Sequence, residues 1–264
     1  MKKTSTYTLD AIKALSERNT ITKLELAIDK KQGFEEYPIF EYINDLSLYA
    51  HVKTDMHLLK KFPNVEKLWL LQKFTEATSI SNLKKLKELT IADFKNVEFS
   101  HPEGIPIEKL SVRSCLANEN FSELLSGSTK SLNLSELRKV EDLNFIHKAP
   151  NLEYLILSEF SLPALPDFSQ LPQLKLLFMY GLHKTNDIES LIDSSIEYLH
   201  VCVSSDKVSG KAFANILMQM KNLKKYEIHN LDYSDKRSRP LINELKKNGK
   251  DDLLTDNLRS IISY

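Results

Sequence analysis

One short frame, apolar-x-x-leucine-x-apolar, recurs ten times along this 264-residue chain and limits its fold more than any other feature. The copies are Ile21-Leu24-Leu26, Ile43-Leu46-Leu48, Val65-Leu68-Leu70, Leu86-Leu89-Ile91, Ile107-Leu110-Val112, Thr129-Leu132-Leu134, Leu152-Leu155-Leu157, Leu174-Leu177-Met179, Ile196-Leu199-Val201 and Leu223-Tyr226-Ile228. Successive copies begin 22, 22, 21, 21, 22, 23, 22, 22 and 27 residues apart. Only Thr129 among these thirty positions is not apolar, whereas a chain that is 42% hydrophobic would place about 13 apolar residues there by composition alone. A period of this length marks a repeat architecture. One copy cannot bury its own apolar face, and stacked copies make a continuous core.

The frame resembles the leucine-rich repeat family over residues 20 to 231. The shared lead-ins Phe62-Pro63-Asn64-Val65, Ala149-Pro150-Asn151-Leu152 and Leu171-Pro172-Gln173-Leu174 strengthen the likeness, and the length fits the short-repeat classes. The resemblance implies an α/β fold, a leucine-rich repeat solenoid curved as a horseshoe. About ten parallel strands would line the concave face, with loop or 3-10 return segments behind them. The family usually places Asn or Cys three residues past the last strand leucine. Here that place holds Asp29, His51, Lys73, Phe94, Cys115, Leu137, Phe160, Leu182, Ser204 and Leu231, of which only Cys115 fits. Apolar stacking of Phe and Leu is therefore expected to hold the turn in place of a polar ladder.

Three parts follow along the chain: a capping helix over 1–20, the solenoid over 21–231 and a helical cap over 232–264. Open solenoid ends need covering. Thr8 is a candidate N-cap for a helix with Leu9, Ile12 and Leu15 on one face. Inside the long interval, Phe213, Ile216, Leu217 and Met220 have helical spacing. Pro240 opens a segment with Leu241, Ile242 and Leu245, and Gly249 is a plausible stop. A final amphipathic stretch carries Leu253, Leu254, Leu258, Ile261 and Ile262.

Side chains alternate along a strand, so frame positions three, five and seven face away from the core. This predicts two apolar groups on the open side of the sheet. Tyr49, Trp69 and Leu71 form the first. Tyr154, Ile156, Leu176, Phe178, Tyr180, Tyr198 and His200 form the second. Arg113, with Lys109, lies in a small, polar stretch between them, and the next position along each strand adds Asp93, Glu136 and Glu159. Aromatic anchors inside a polar rim are the usual composition of a protein interface core, and apolar patches of that extent usually have a use. The competing expectation is that these side chains are cross-strand pairs that only stabilise the sheet.

Reaction chemistry is sparse by comparison. The sequence has no glycine-rich phosphate loop, HExxH, CxxC, nucleophile elbow or EF-hand loop. Cys202, His200 and His229, with Glu227 nearby, are the one grouping of metal-ligating types, and it lacks a complete constellation. No enzyme activity, metal or cofactor is expected. Cys115 and Cys202 fall four repeats apart, too far for a disulfide, which fits free thiols in a reducing compartment.

Lys plus Arg (36) balances Asp plus Glu (36), which argues against bulk attraction to nucleic acid or an anionic membrane. No apolar run is long enough to span a bilayer, and the first residues lack the apolar core of a signal peptide. The expectation is a cytoplasmic protein, monomeric when unbound, that grips a protein partner on its concave face. The acidic positions suggest a partner with a basic surface. The most specific version is a bacterial immunity protein that neutralises one cognate toxin. The others are a regulatory scaffold of a cellular enzyme such as a phosphatase, and a secreted virulence effector.

Overall fold

The structure, a computed structural model, describes residues 14, 21–29, 35, 37–74, 78–94, 104–115, 119–137, 140–182, 184–202, 208–227 and 238–258. The chain divides into two compact units, residues 1–129 with 137–139, and residues 130–136 with 140–264. The first holds strands β1 (Lys23–Ile28), β2 (Asp45–Thr54), β3 (Lys67–Phe74), β4 (Glu88–Ala92) and β5 (Lys109–Arg113). The second holds β6 (Ser131–Ser135), β7 (Tyr154–Ser158), β8 (Leu176–Tyr180), β9 (Tyr198–Cys202), β10 (Lys225–Glu227) and β11 (Leu254–Thr255).

Within each unit the strands are parallel and neighbour one another in chain order. The register sets like on like. Leu46, Leu68, Leu89 and Leu110 are partners in the first unit, and Leu132, Leu155, Leu177, Leu199 and Tyr226 in the second. This follows from the constant repeat length, because a slip by one residue would turn every leucine out of the core.

Of the thirty frame positions, 28 are buried; Ile21 is half-buried and Ile228 lies outside the described residues. Thr129, the one polar member, is fully buried. Its hydroxyl donates to the Ile107 carbonyl at 3.1 Å and accepts from the Ser126 amide at 3.3 Å, so its burial leaves no orphaned group. Before β2 to β5 and β7 to β10, one carbonyl of the preceding repeat accepts two successive amides. Asn44 O takes Glu66 N and Lys67 N, and Lys175 O takes Glu197 N and Tyr198 N.

Six 3-10 turns serve as described return segments, as expected: Met56–Lys61, Thr78–Asn82, Glu119–Leu124, Asn144–Lys148, Phe168–Gln170 and Glu189–Leu191. The sharp corner after a strand is left-handed at one recurring place. Gln72, Asp93, Ser114, Glu136, Glu159 and Gly181 all have φ between 51° and 77°. Five of these are not glycine, so strand pairing holds backbone that L-residues disfavour. The corner amides of Asp93, Glu136 and Glu159 pair with the carbonyls of Arg113, Ser158 and Tyr180 on the next strand. One residue later Phe94, Cys115, Leu137, Phe160 and Leu182 are all buried, so apolar side chains fill the turn where the family uses Asn. The Cys115 thiol donates to the Arg113 carbonyl at 3.2 Å, and its burial raises its pKa.

Two helices belong to the second unit and pack together: α1 (Gly210–Gln219), capped by the Ser209 hydroxyl, and α2 (Ser238–Lys247). The helix α2 begins two residues before Pro240, and Gly249 turns just past its end with φ 65°. Residues 251–258 form a 3-10 turn and the short strand β11, where an amphipathic helix was expected. Two-residue β11 falls beyond the ten frames and was not visible as a strand in the sequence. The expected N-terminal cap with Thr8, Leu9, Ile12 and Leu15 lies outside the described residues, as do Ser204, Leu231, Ile261 and Ile262.

Candidate functional site: the open face of each unit

In the first unit the open face starts with a row of alternating charge. Lys23, Asp45, Lys67, Glu88 and Lys109 occupy frame position three of five in-register strands. Lys23 reaches Asp45 at 3.8 Å and Glu25 at 3.5 Å, and Glu88 is shared by Lys67 at 3.1 Å and Lys109 at 3.4 Å. Burial alone would raise the Glu88 pKa. The Lys67 hydrogen bond and the Lys109 charge outweigh it, and the pKa is lowered. Exposed pairs of this kind add little stability, but they neutralise this edge of the face.

The middle of the same face is aromatic. Trp69 is 50% exposed between its in-register neighbours Ser47 and Thr90, although it sits at the centre of a strand. Tyr49 and Leu71 are half-buried partners beside it. Both neighbours of Trp69 are small, so nothing on the flanking strands covers the indole. Asp93 and Arg113 are exposed at the far ends of β4 and β5.

Beyond Leu71 the β2–β3 pair departs from the repeat. Ala50 pairs with Gln72 and Thr54 with Phe74, so three residues of β2 bulge out against one of β3. The bulge and its partner strand present exposed His51, Lys53 and Lys73, and the Lys73 ammonium donates to the His51 carbonyl at 2.9 Å. His51 lies 3.7 Å from Asp29. In the repeat frame His51 and Lys73 fall in the turn column, which hides this extension. The uninterrupted alternation of Tyr49, His51 and Lys53 was the signal available.

The second unit presents a different face, and here the expected contact surface needs correction. Leu176, Phe178 and His200 are buried, at 1%, 2% and 1% exposure. They are on the predicted side of the sheet but cannot meet a partner as arranged. The reason is cross-strand crowding. Phe178 is walled by Ile156 and His200 on the flanking strands and by Leu176 and Tyr180 on its own. Its ring lies 5.3 Å from His200 and 6.2 Å from Tyr180, and Tyr180 lies 4.9 Å from His200. These residues act as the sheet-stabilising pairs that were the competing expectation.

His200 Nδ1 is 2.7 Å from Glu227 Oε2, with the two side chains 2% and 12% exposed. The pair joins β9 to β10. His229 and the Cys202 side chain lie outside the described residues, and among the described residues no group of three His, Cys, Asp or Glu is placed to hold a metal. What the second unit leaves accessible is half-buried Tyr154, Ile156, Tyr180 and Tyr198, the small Ser131, Asn133, Ser135 and Ser158, half-buried Glu136 and exposed Glu159. No helix among the described residues is long and apolar enough to cross a membrane.

Neither a protein-family model nor a curated protein matches the chain. Solved structures do. An internalin of Listeria monocytogenes, InlF, is 18% identical, with a TM-score of 0.41 and coverage of 86% of this chain and 78% of its own. Another Listeria monocytogenes internalin, InlP, is 14% identical, with a TM-score of 0.42 over 84% of this chain and 58% of its own. Strand, left-handed corner and 3-10 return, repeated in register around a leucine core, make the fold of this chain that of a leucine-rich repeat solenoid.

Proposed function

We propose that this chain is a protein-binding module that docks a partner on its open faces, with Trp69 as the principal anchor of the first unit. The observation that carries this reading is a large indole, half in water, at the centre of a preformed sheet with Tyr49 and Leu71 beside it. Strand pairing already holds the surface, which lowers the ordering cost of association. Asp93 and Arg113 in the first unit add polar contacts. In the second unit the contact set is Tyr154, Ile156, Tyr180, Tyr198, Glu136 and Glu159.

The finer form of this reading is a cytosolic bacterial immunity protein that masks one cognate toxin. It rests on size, on a lysine-rich composition (30 Lys against 6 Arg) and on a surface suited to gripping protein. The test is to co-express the chain with the product of the neighbouring gene and measure binding by calorimetry. A stable complex that Trp69→Ala weakens by about 1 kcal/mol or more supports docking at this face, and rescue of growth from that product's toxicity supports the immunity role. Unchanged affinity in Trp69→Ala removes Trp69 as the anchor, and a harmless neighbour that does not bind removes the immunity role.

A further inference from the structure

The bulge of β2 brings Lys53 beside Lys73 at one end of the first unit's strands. Of these strands, β2 carries Tyr49, His51 and Lys53, and β3 carries Trp69, Leu71 and Lys73. At the opposite edge every lysine has a carboxylate within reach: Lys23 with Asp45, and Lys67 and Lys109 with Glu88. At the bulge end, among the described residues, no carboxylate pairs with Lys53 or Lys73. Asp29 lies 3.7 Å from His51, Asp55 is bound to His57, and Asp93 is exposed just past the end of β4. The lysines on one side of the patch are thus paired with carboxylates, and Lys53 and Lys73 on the other have no such partner among the described residues. Bulges commonly re-aim side chains at sheet rims, and here two extra residues carry Lys53 to the level of Lys73.

Resting on the reading that Trp69 docks a partner, we infer that the occupant of this patch is an acidic segment: an apolar side chain set against Trp69, with carboxylates beside it that reach Lys53 and Lys73. The basic partner surface suggested by Asp93, Glu136 and Glu159 does not extend to repeats two and three. The charge complement does here what rim charges do at protein interfaces. It selects the partner's sign and raises the rate of encounter, while the aromatic patch supplies the apolar contact.

Trp69 is the single tryptophan of the chain, so its emission reports on this patch alone. The probes are two end-blocked peptides without tryptophan, Glu-Glu-Leu-Phe-Leu-Glu-Glu and the same sequence with lysine in place of each glutamate. Each is titrated to millimolar concentration against the full chain. The acidic peptide is expected to shift Trp69 emission saturably and to bind roughly tenfold more tightly than the basic one. That preference should shrink several-fold as NaCl rises from about 50 mM to about 300 mM, where the Debye length falls to about 6 Å. In the Lys53→Glu/Lys73→Glu variant the preference should reverse.

Should loss of the Lys73 bond to the His51 carbonyl unsettle the bulge, Lys53→Glu carries the test alone, and far-UV circular dichroism checks its fold. Equal affinity for both peptides, tighter binding of the basic one, or no saturable shift with either overturns the acidic-segment inference. None of these touches the docking reading, which falls only if Trp69→Ala leaves the affinity of the whole partner unchanged.

Discussion

Phe178→Ala and Trp69→Ala separate the two faces of the argument, because both residues hold frame position five on the open side and only one is in water. Phe178 is 2% exposed. A buried phenylalanine removes about 150–200 Å² of apolar surface from water, which at about 25 cal/mol/Å² amounts to ~4–5 kcal/mol. Truncation also leaves a cavity between Ile156, His200, Leu176 and Tyr180, so the cost belongs in the range of about 3–5 kcal/mol. Trp69 keeps half its surface exposed in the folded state, and solvent fills the space left by its removal, so about 1–2 kcal/mol is expected. The assay is urea unfolding at 25 °C followed by far-UV circular dichroism, with the slope compared across variants to check that the denatured state is unchanged. Thermal midpoints give an independent reading, at roughly 2–4 °C per kcal/mol for a chain of this size. If Phe178→Ala costs no more than Trp69→Ala, the second unit's open face is not packed as described, and the assignment of Phe178 to the stabilising cluster is wrong.

Thr129→Val removes a buried hydroxyl that bonds the Ile107 carbonyl and the Ser126 amide, and should cost about 1–3 kcal/mol in the same urea assay; a neutral result would mean the two backbone groups find other partners. Gly181→Ala places a Cβ against the Glu159 carboxylate at φ 60° and should destabilise by about 1–2 kcal/mol, whereas Glu136→Gly, at φ 55°, should be neutral or slightly stabilising. A neutral or stabilising Gly181→Ala, or a clearly destabilising Glu136→Gly, would refute the account of the left-handed corner. The Glu88 pKa is lowered in the folded chain, so its stabilising contribution is present above the ordinary glutamate range and disappears as pH falls through the lowered folded value. Urea midpoints measured from neutral pH down to about pH 3 should therefore decline less steeply in Glu88→Gln than in the unaltered chain, and an unchanged slope would show that Lys67 and Lys109 do not stabilise the carboxylate.

Much of the fold was legible in the linear chain because a short repeat carries its own register. A leucine every 21 to 23 residues can be buried in only one way, and it set strand positions, parallel order and inward faces before any tertiary contact was known. The filling of the strand-end turn by Phe94, Leu137, Phe160 and Leu182 could likewise be read from residue type. The bulge at His51–Lys53 was less accessible, since it depends on how β2 meets β3 rather than on either strand alone.

Alternation along a strand determined which side of the sheet Trp69 and Phe178 occupy. It could not determine their exposure. That quantity depends on the side chains brought alongside from strands about 22 residues away: Ser47 and Thr90 leave the indole open, while Ile156 and His200 close over the phenyl ring. Burial on an open sheet face is a property of four neighbours in two dimensions, and only the folded chain assembles them.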